Sequence, residues 1–173
     1  RAGGLTSGYW SARANVLHTQ ESTALFNLLT GIWQFENDRL FKRALASDWI
    51  QLTINELDDI QNNEHAWAMW QSRFEQWRED WQQRGLMSML ISILQSHFKA
   101  SDSNTDRQLT NMIHLSELLQ KESNQHKTPD ALLHWFKQAR DQDSQAFEQQ
   151  LRLESDDNLI KIVTMHGSKG LEY

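Results

Sequence analysis

The sequence predicts a mainly α-helical fold: a multi-helix region followed by one terminal strand and loop. The 173 residues contain one Pro and seven Gly, the residues that interrupt helices, and eight Trp, whose large side chains need a core. Apolar residues recur at steps of three and four through most of the chain, which is typical of helices that bury one face. Near the end this pattern changes to an unbroken, β-branched apolar run, which is typical of a strand.

Three helices are predicted in succession from Thr19. The first carries apolar residues at helical spacing and has Gly31 near its end. Asn37 can cap the second. Thr53 and Glu56 have the spacing of a capping box, in which a hydroxyl and a carboxylate bond to N–H groups that a first turn leaves open. This pair marks a third, short helix.

The next helix carries five aromatic residues on one side, at alternating steps of three and four. They are Trp67, Trp70, Phe74, Trp77 and Trp81. An exposed apolar stripe of this size is rare on a soluble protein, so we expect the rings to form part of the core. The alternative is a row of stacking platforms for the bases of single-stranded nucleic acid, which would make the chain a single-strand binding module.

Further helices are predicted up to residue 141. Residues 86–98 are apolar on nearly all sides, which predicts a central buried helix. A polar loop at 101–106 separates it from another amphipathic helix. Thr-Pro-Asp at 128–130 combines an N-cap, a first-turn proline and an acid favoured by the helix dipole, so one more helix begins there. Six or seven helices therefore precede a polar connector at 141–150.

The charge of the chain limits how it can meet DNA. A net charge of −6 argues against a broad basic face that holds duplex DNA, because such binding needs many Lys and Arg side chains to neutralise phosphates. Any DNA contact should therefore be local. Arg39, Lys42 and Arg43 cluster on one short helix and are able to meet DNA or a partner subunit, but a solvated face is the favoured interpretation.

Cysteine and histidine usage excludes several kinds of site. The absence of Cys excludes disulfide frameworks and thiolate metal sites, and it fits a reducing, cytoplasmic compartment. No apolar run approaches the roughly 20 residues needed to cross a bilayer, so no membrane association is expected. The seven His do not form a recognisable metal-binding pattern, and we expect no metal site.

Residues 159–165, Leu-Ile-Lys-Ile-Val-Thr-Met, have the pattern of a strand inside a sheet covered by helices. One central strand is not stable alone. Residues 3–10 are glycine-rich and then aromatic, which suits a turn followed by a short extended piece, and this piece around Tyr9 is the one possible neighbour in the sequence. We therefore expect that both ends belong to a sheet-containing domain of a larger protein, with the helical region inserted between them. The unpaired edge also predicts that the isolated chain dimerises, as an artefact, through 159–165.

The loop after this strand is rich in groups that bind phosphate, ribose and bases, at the strand end where open α/β sheets bind ligands. It is not a P-loop, because Lys169 precedes Gly170 and no Ser or Thr follows the lysine. Residues 167–170 also match the GXXG loop of a KH domain. That loop joins two helices, whereas a strand is predicted before this one, so a KH domain is disfavoured.

Residues 162–173, Ile-Val-Thr-Met-His-Gly-Ser-Lys-Gly-Leu-Glu-Tyr, resemble motif V of superfamily-1 helicases of the UvrD/Rep type. That motif is a strand followed by T-x-H-x-x-K-G-L-E-[FY], and every fixed position is filled. Residues 151–156 resemble the stretch that leads into this motif in the RecB and AddA branch. Residues 15–22 are similar to RecB-type sequences at the point where those sequences leave the second motor domain. Residues 107–120 are similar to the accessory region of the same sequences.

The resemblance implies both a domain organisation and roles for single residues. Residues 1–18 would be the tail end of the RecA-like motor domain 2A, 19–150 a helical 2B-like accessory domain, and 151–173 the return to domain 2A with motif V. The residues implied to bind ATP are Glu172, Gly170 and Lys169, and those implied to contact DNA are Thr164 and His166. Glu172 would accept hydrogen bonds from the ribose hydroxyls.

The resemblance further implies an ATP-dependent DNA helicase and exonuclease subunit that unwinds and degrades double-stranded DNA ends in recombinational repair. Its cofactors would be ATP and Mg²⁺, and its partners single- and double-stranded DNA and RecC- and RecD-type subunits. The Walker A lysine, the magnesium-binding acids and the nuclease are not in this sequence, so we expect no catalytic residue, no held cofactor and no ATP hydrolysis by this chain alone. The alternative is a self-standing helical protein-interaction module without nucleotide chemistry.

Overall fold

The structure is a computed structural model that describes residues 16–100, 104–142 and 152–153. Its main elements are seven helices, and the described residues contain no strand. The helices are α1 (Gln20–Trp33), α2 (Asp38–Leu45), α3 (Ile54–Asn62), α4 (Glu64–Arg84), α5 (Leu86–His97), α6 (Thr105–Glu122) and α7 (residues 129–142). The predicted mainly α-helical fold is confirmed. The predicted strand at 159–165 and the extended piece around Tyr9 lie outside the described residues.

Four helices begin at the residues that the sequence predicts. The hydroxyls of Thr19 and Thr128 and the amide oxygen of Asn37 each accept a hydrogen bond from a backbone N–H of the following turn. The capping box of α3 is complete. The Thr53 hydroxyl accepts from the N–H of Glu56 at 3.1 Å, and the Glu56 carboxylate accepts from the N–H of Thr53 at 3.0 Å. The bond from that backbone N–H is the main cause of a lowered pKa for Glu56.

Helix α1 lies at the centre of the described body and packs against α2, α4 and α6. Its inner side chains are fully buried; these are Leu25, Leu28, Leu29 and Ile32. Gly31 faces α2 at a close approach of the two backbones. A Cβ at this position would overlap the Cβ of Ala44 and lie 2.7 Å from the carbonyl oxygen of Leu40. Glycine therefore sets the distance between α1 and α2.

The aromatic stripe of α4 forms part of the core, as predicted. Phe74 is fully buried, and Trp70, Trp77 and Trp81 are 6–7% exposed. The Phe74 ring meets the Phe41 ring of α2 edge to face, with 4.8 Å between their centroids. Trp67, the fifth ring, is partly buried against the same core. Because neighbouring helices cover most of this stripe, its interpretation as an exposed stacking surface for single-stranded bases is wrong.

Helix α5 differs from the prediction of a central buried helix that is apolar on nearly all sides. Its buried residues are Leu86, Met89, Leu90, Ile93 and Leu94, which lie at helical spacing and face α4 and α6. The opposite face is exposed and carries Ser88, Ser92, Gln95 and Ser96. The helix is therefore amphipathic. Its small polar residues, four apart, mark the solvent side, and the apolar residues between them masked this signal in the sequence.

We predict that Gly31→Ala lowers the free energy of unfolding. In an ordinary helix interior this change stabilises by about 1 kcal/mol. Here the new methyl group meets Ala44 and the Leu40 carbonyl, and overpacking of this kind costs about 1–3 kcal/mol. Urea denaturation followed by circular dichroism measures the difference.

The double variant Gly31→Ala/Ala44→Gly is the matched control. Removal of the Ala44 methyl group opens the space that the Gly31→Ala methyl needs, so this variant should recover part of the lost stability. A double variant less stable than Gly31→Ala alone would contradict the close approach of α1 and α2.

His97 at the end of α5 is half-buried beside two rings of α4. Its ring centroid lies 5.6 Å from that of Trp70 and 5.7 Å from that of Trp77. Burial, together with the positive charges of Arg73 and Lys99, lowers the pKa of His97. The folded state therefore favours the neutral imidazole.

We predict that the chain loses stability below about pH 6.5, the ordinary pKa of His in an unfolded chain. Below this pH the unfolded state binds a proton that folded His97 resists, so the contribution is present above pH 6.5 and is lost as the pH falls. Thermal unfolding between pH 5 and 8 should show a flatter profile for His97→Gln. The same substitution at exposed His134 controls for the loss of one histidine, and an equal effect at both positions would contradict the prediction.

Candidate functional site at the junction of the first and last helices

Helices α1 and α7 form an antiparallel pair. At one end the indole N–H of Trp33 donates to the Asp130 carboxylate at 2.7 Å. In the middle the Phe26 and Phe136 rings meet edge to face, with 5.7 Å between their centroids. At the other end a guanidinium N–H of Arg140 donates to the Thr23 hydroxyl at 2.7 Å.

This pairing brings the start and the end of the helical body together. Thr23 lies in the first turn of α1 and Arg140 lies two residues before the end of the described part of α7. Their side chains are in hydrogen-bond contact although they are 117 residues apart in sequence. The chain therefore enters and leaves the body at the same end.

The guanidinium of Arg140 places a half-buried positive charge at the junction of α1 and α7. The central carbon of its guanidinium lies 5.5 Å from the Phe26 ring centroid and 5.9 Å from that of Phe136. Its Nε atom is buried and has no hydrogen-bond partner. Burial lowers the pKa of Arg140, while the negative charge of Asp141 acts in the opposite direction. The two rings and the Thr23 hydroxyl thus hold the cation in place.

The amino-terminal half of α1 is also held by its neighbours. The Glu21 carboxylate accepts a hydrogen bond from the side-chain amide of Asn111 on α6 at 2.8 Å. The Glu21 carbonyl accepts from the indole N–H of Trp49 at 3.1 Å, and the Ala24 carbonyl accepts from the buried Ser47 hydroxyl at 3.0 Å. The junction is therefore built on a fixed support.

The carboxyl-terminal end of α1 is held against α4 by Arg78. Its guanidinium donates to the Glu36 carboxylate and to the Trp33 carbonyl, each at 3.2 Å, and its central carbon lies 4.3 Å from the Phe35 ring centroid. One side chain thus links α4 to the turn that follows α1.

All five residues for which the sequence predicts a binding role lie outside the described residues; these are Thr164, His166, Lys169, Gly170 and Glu172. Within the described residues, Arg39, Lys42 and Arg43 are exposed on α2, and the nitrogen of Lys42 lies 5.8 Å from the Trp67 ring centroid. The sequence did not point to Arg140, because its contacts are with residues more than a hundred positions away and it belongs to no local motif.

No group of three or more potential metal-ligating side chains occurs in the part of the chain that the structure describes. Among these same residues, no helix is long and apolar enough to cross a membrane.

We predict that Phe136→Ala lowers the free energy of unfolding by about 3–5 kcal/mol, the usual cost of removing a fully buried Phe. The loss should come with faster proteolysis near residues 23 and 140, because the α1–α7 pair depends on this ring. Urea denaturation and limited proteolysis measure the two effects. His134 is exposed on the same helix, so His134→Ala is the control. A comparable loss of stability in this control would contradict a specific role of Phe136.

The chain is similar along nearly its whole length to one group of curated proteins. It is 36% identical to RecBCD enzyme subunit RecB of Escherichia coli, over 98% of this chain and 15% of that subunit. It is also 36% identical to the same subunit of Haemophilus influenzae, over 98% of the chain and 14% of the relative, and 25% identical to that of Buchnera aphidicola.

The chain spans about 15% of the length of the curated relatives that it matches. No family model matches it. The resemblance to RecB-type sequences, predicted from residues 15–22, 107–120 and 151–173, is thus confirmed over nearly the whole chain. The chain is therefore similar, over nearly its whole length, to one part of a RecB subunit.

Proposed function

We propose that the chain is the part of a RecB-type DNA helicase and exonuclease subunit in which a helical accessory body interrupts the motor. In this proposal residues 19–150 are the 2B-like body, and residues 1–18 and 151–173 belong to motor domain 2A. The contact between Thr23 and Arg140 is the observation that carries it. An inserted body must leave and return at nearly the same point of its host domain, and domains whose ends lie close together are those that tolerate insertion.

The helical body supports and orients the motor in this proposal. A single continuous core and the fixed position of α1 make it suited to this mechanical task. The whole subunit would act on single- and double-stranded DNA ends in recombinational repair, in the cytoplasm, with ATP and Mg²⁺ as cofactors and RecC- and RecD-type subunits as partners. Dimerisation of the isolated chain through 159–165 stays a prediction.

Motif V is the place where this chain would contribute to the motor's site. Glu172 would accept hydrogen bonds from the ATP ribose hydroxyls, because a carboxylate has two acceptor oxygens. Gly170 would let the backbone approach the nucleotide, and Lys169 would place a positive charge beside phosphate. Thr164 and His166 would contact the DNA strand, the hydroxyl at phosphate and the imidazole at backbone or base. These residues bind and position, and the proposal assigns the chain no catalytic residue.

The experiment is an excision in the whole subunit that contains this chain. Replacement of residues 20–142 by a short Gly-Ser linker should leave a folded protein that still hydrolyses ATP in the presence of DNA, because the linker joins two points that are already adjacent. Unwinding should fall more than ATP hydrolysis, since the body that orients the motor is gone. ATP hydrolysis and strand separation are measured on the same preparation.

The matched control removes residues 20–84 instead. Arg84 lies near the opposite end of α1, because Trp81 and Arg78 contact Trp33 there. The ends left by this deletion are therefore about 20 Å apart, the length of a 14-residue helix, and the core is cut. This variant should fail to fold. A 20–142 excision that unfolds like the control, or that leaves unwinding unchanged, would contradict the proposal.

A further inference from the structure

An open cleft of about 390 Å³ lies between α1 and the segment formed by α2 and the turn after it. Gln20, Thr23 and Asn27 line it from α1, and Arg43 and Asp48 line it from the other side. Ala24 and Ser47 are buried at its floor.

The α1 side of this cleft is neutral and polar. Gln20, Thr23 and Asn27 follow one another at steps of three and four, which places them on one face of the helix. The one carboxylate of α1, Glu21, points instead towards α6, where it accepts from Asn111. Amide and hydroxyl groups, which donate hydrogen bonds, are therefore presented along this face without an opposing negative charge on the same helix.

Arginines flank this strip on both sides. Arg43 lines the cleft, and Arg39 lies one helical turn before it on the exposed part of α2. On the α7 side, Arg140 is bonded to Thr23. In the described part of the chain none of these three arginines forms an ion pair. Asp38 in the first turn of α2, Asp48 at the cleft and Asp141 next to Arg140 reduce the local positive charge, and the exposed Lys42 of α2 adds to it.

The negative charge of the protein is concentrated elsewhere. Helix α3 carries Glu56, Asp58 and Asp59, all exposed, and has no basic residue. The face formed by the cleft, α2 and Arg140 carries four cations and three carboxylates, so it is locally positive by one charge although the net charge of the protein is −6. Binding of an anionic polymer is compatible with this uneven distribution if the contact is confined to that face.

We infer that the α1–α2 cleft and the neighbouring Arg140 bind the phosphodiester backbone of nucleic acid. Hydroxyl, amide and guanidinium groups are those that contact phosphate and sugar in protein–DNA interfaces. Arg39 and Arg43, four residues apart on a helix, have Cβ atoms about 5–6 Å apart and can serve neighbouring phosphates. The contact is independent of the motif at 164–172 and carries no sequence specificity.

An acidic protein segment is the other anionic partner to consider, and the composition of the face argues against it. Protein interfaces have an apolar, aromatic-rich centre. Four large apolar side chains are exposed among the described residues, and none of them lies on α1, α2 or α7; they are Ile54, Met69, Ile113 and Leu153.

The test is binding of the 173-residue chain to fluorescein-labelled mixed-sequence DNA, as a single strand and as a duplex, over a series of salt concentrations. Arg39→Glu/Arg43→Glu should weaken binding at low salt by about tenfold or more, and should reduce the slope of log affinity against log salt by about 1–2. Arg107→Glu/Lys121→Glu on α6 changes the net charge by the same amount and should weaken binding much less.

Three results would overturn the inference. The first is that the unmodified chain does not bind DNA at low salt. The second is that the α6 control loses as much DNA affinity as Arg39→Glu/Arg43→Glu. The third is that Arg39→Glu/Arg43→Glu keeps full DNA affinity while Thr164→Ala/His166→Ala loses it. The last result would assign the DNA contact to motif V, so the proposed function would stand while this surface would not. Circular dichroism melts check folding, and Arg39→Gln/Arg43→Gln, with a smaller loss expected, replaces the charge reversals if these unfold.

Discussion

The burial of α1 is the constraint on which the rest of the described structure depends. Helices α2, α4, α6 and α7 all contact it, so its position determines theirs. Gly31 lets α2 approach closely on one side, and Phe26 meets α7 on another. The junction with Arg140 and the cleft beside Arg43 therefore lie along the same helix, α1, and a shift of α1 would disturb both.

Local features of the sequence predicted much of this fold. Capping residues act within three positions of their partners, so Thr53 and Glu56 were sufficient to place the start of α3. The stripe on α4 was recognisable as core because its period matches a helix and its size excludes exposure. The pairing of α1 with α7 was not predictable in this way. Its contacts join residues 97 and 117 positions apart, and nothing near Arg140 distinguishes it from a solvated arginine.

The residues proposed to bind ligands divide in the same manner. Thr164, His166 and Glu172 are predicted to bind because they belong to a compact motif with fixed spacing, and both their roles and their arrangement in space stay predictions. The cleft beside α1 shows the opposite case. Gln20 and Arg43 come together only when two helices pack, and neither has a chemical signature of its own in the sequence. Motifs thus point to chemistry shared with relatives, whereas surfaces of this kind become visible only in the folded chain.

The pairing of the first helix with the last also sets the order in which the body can form. Closing a flexible loop of 117 residues costs about 4 kcal/mol of chain entropy on the usual logarithmic scaling. The loop must close before the contacts around Phe136 can form and offset this cost. During synthesis the side of α1 that receives α7 stays uncovered until residues 129–142 have left the ribosome. The helices between can pack earlier, but the body is completed in one late step.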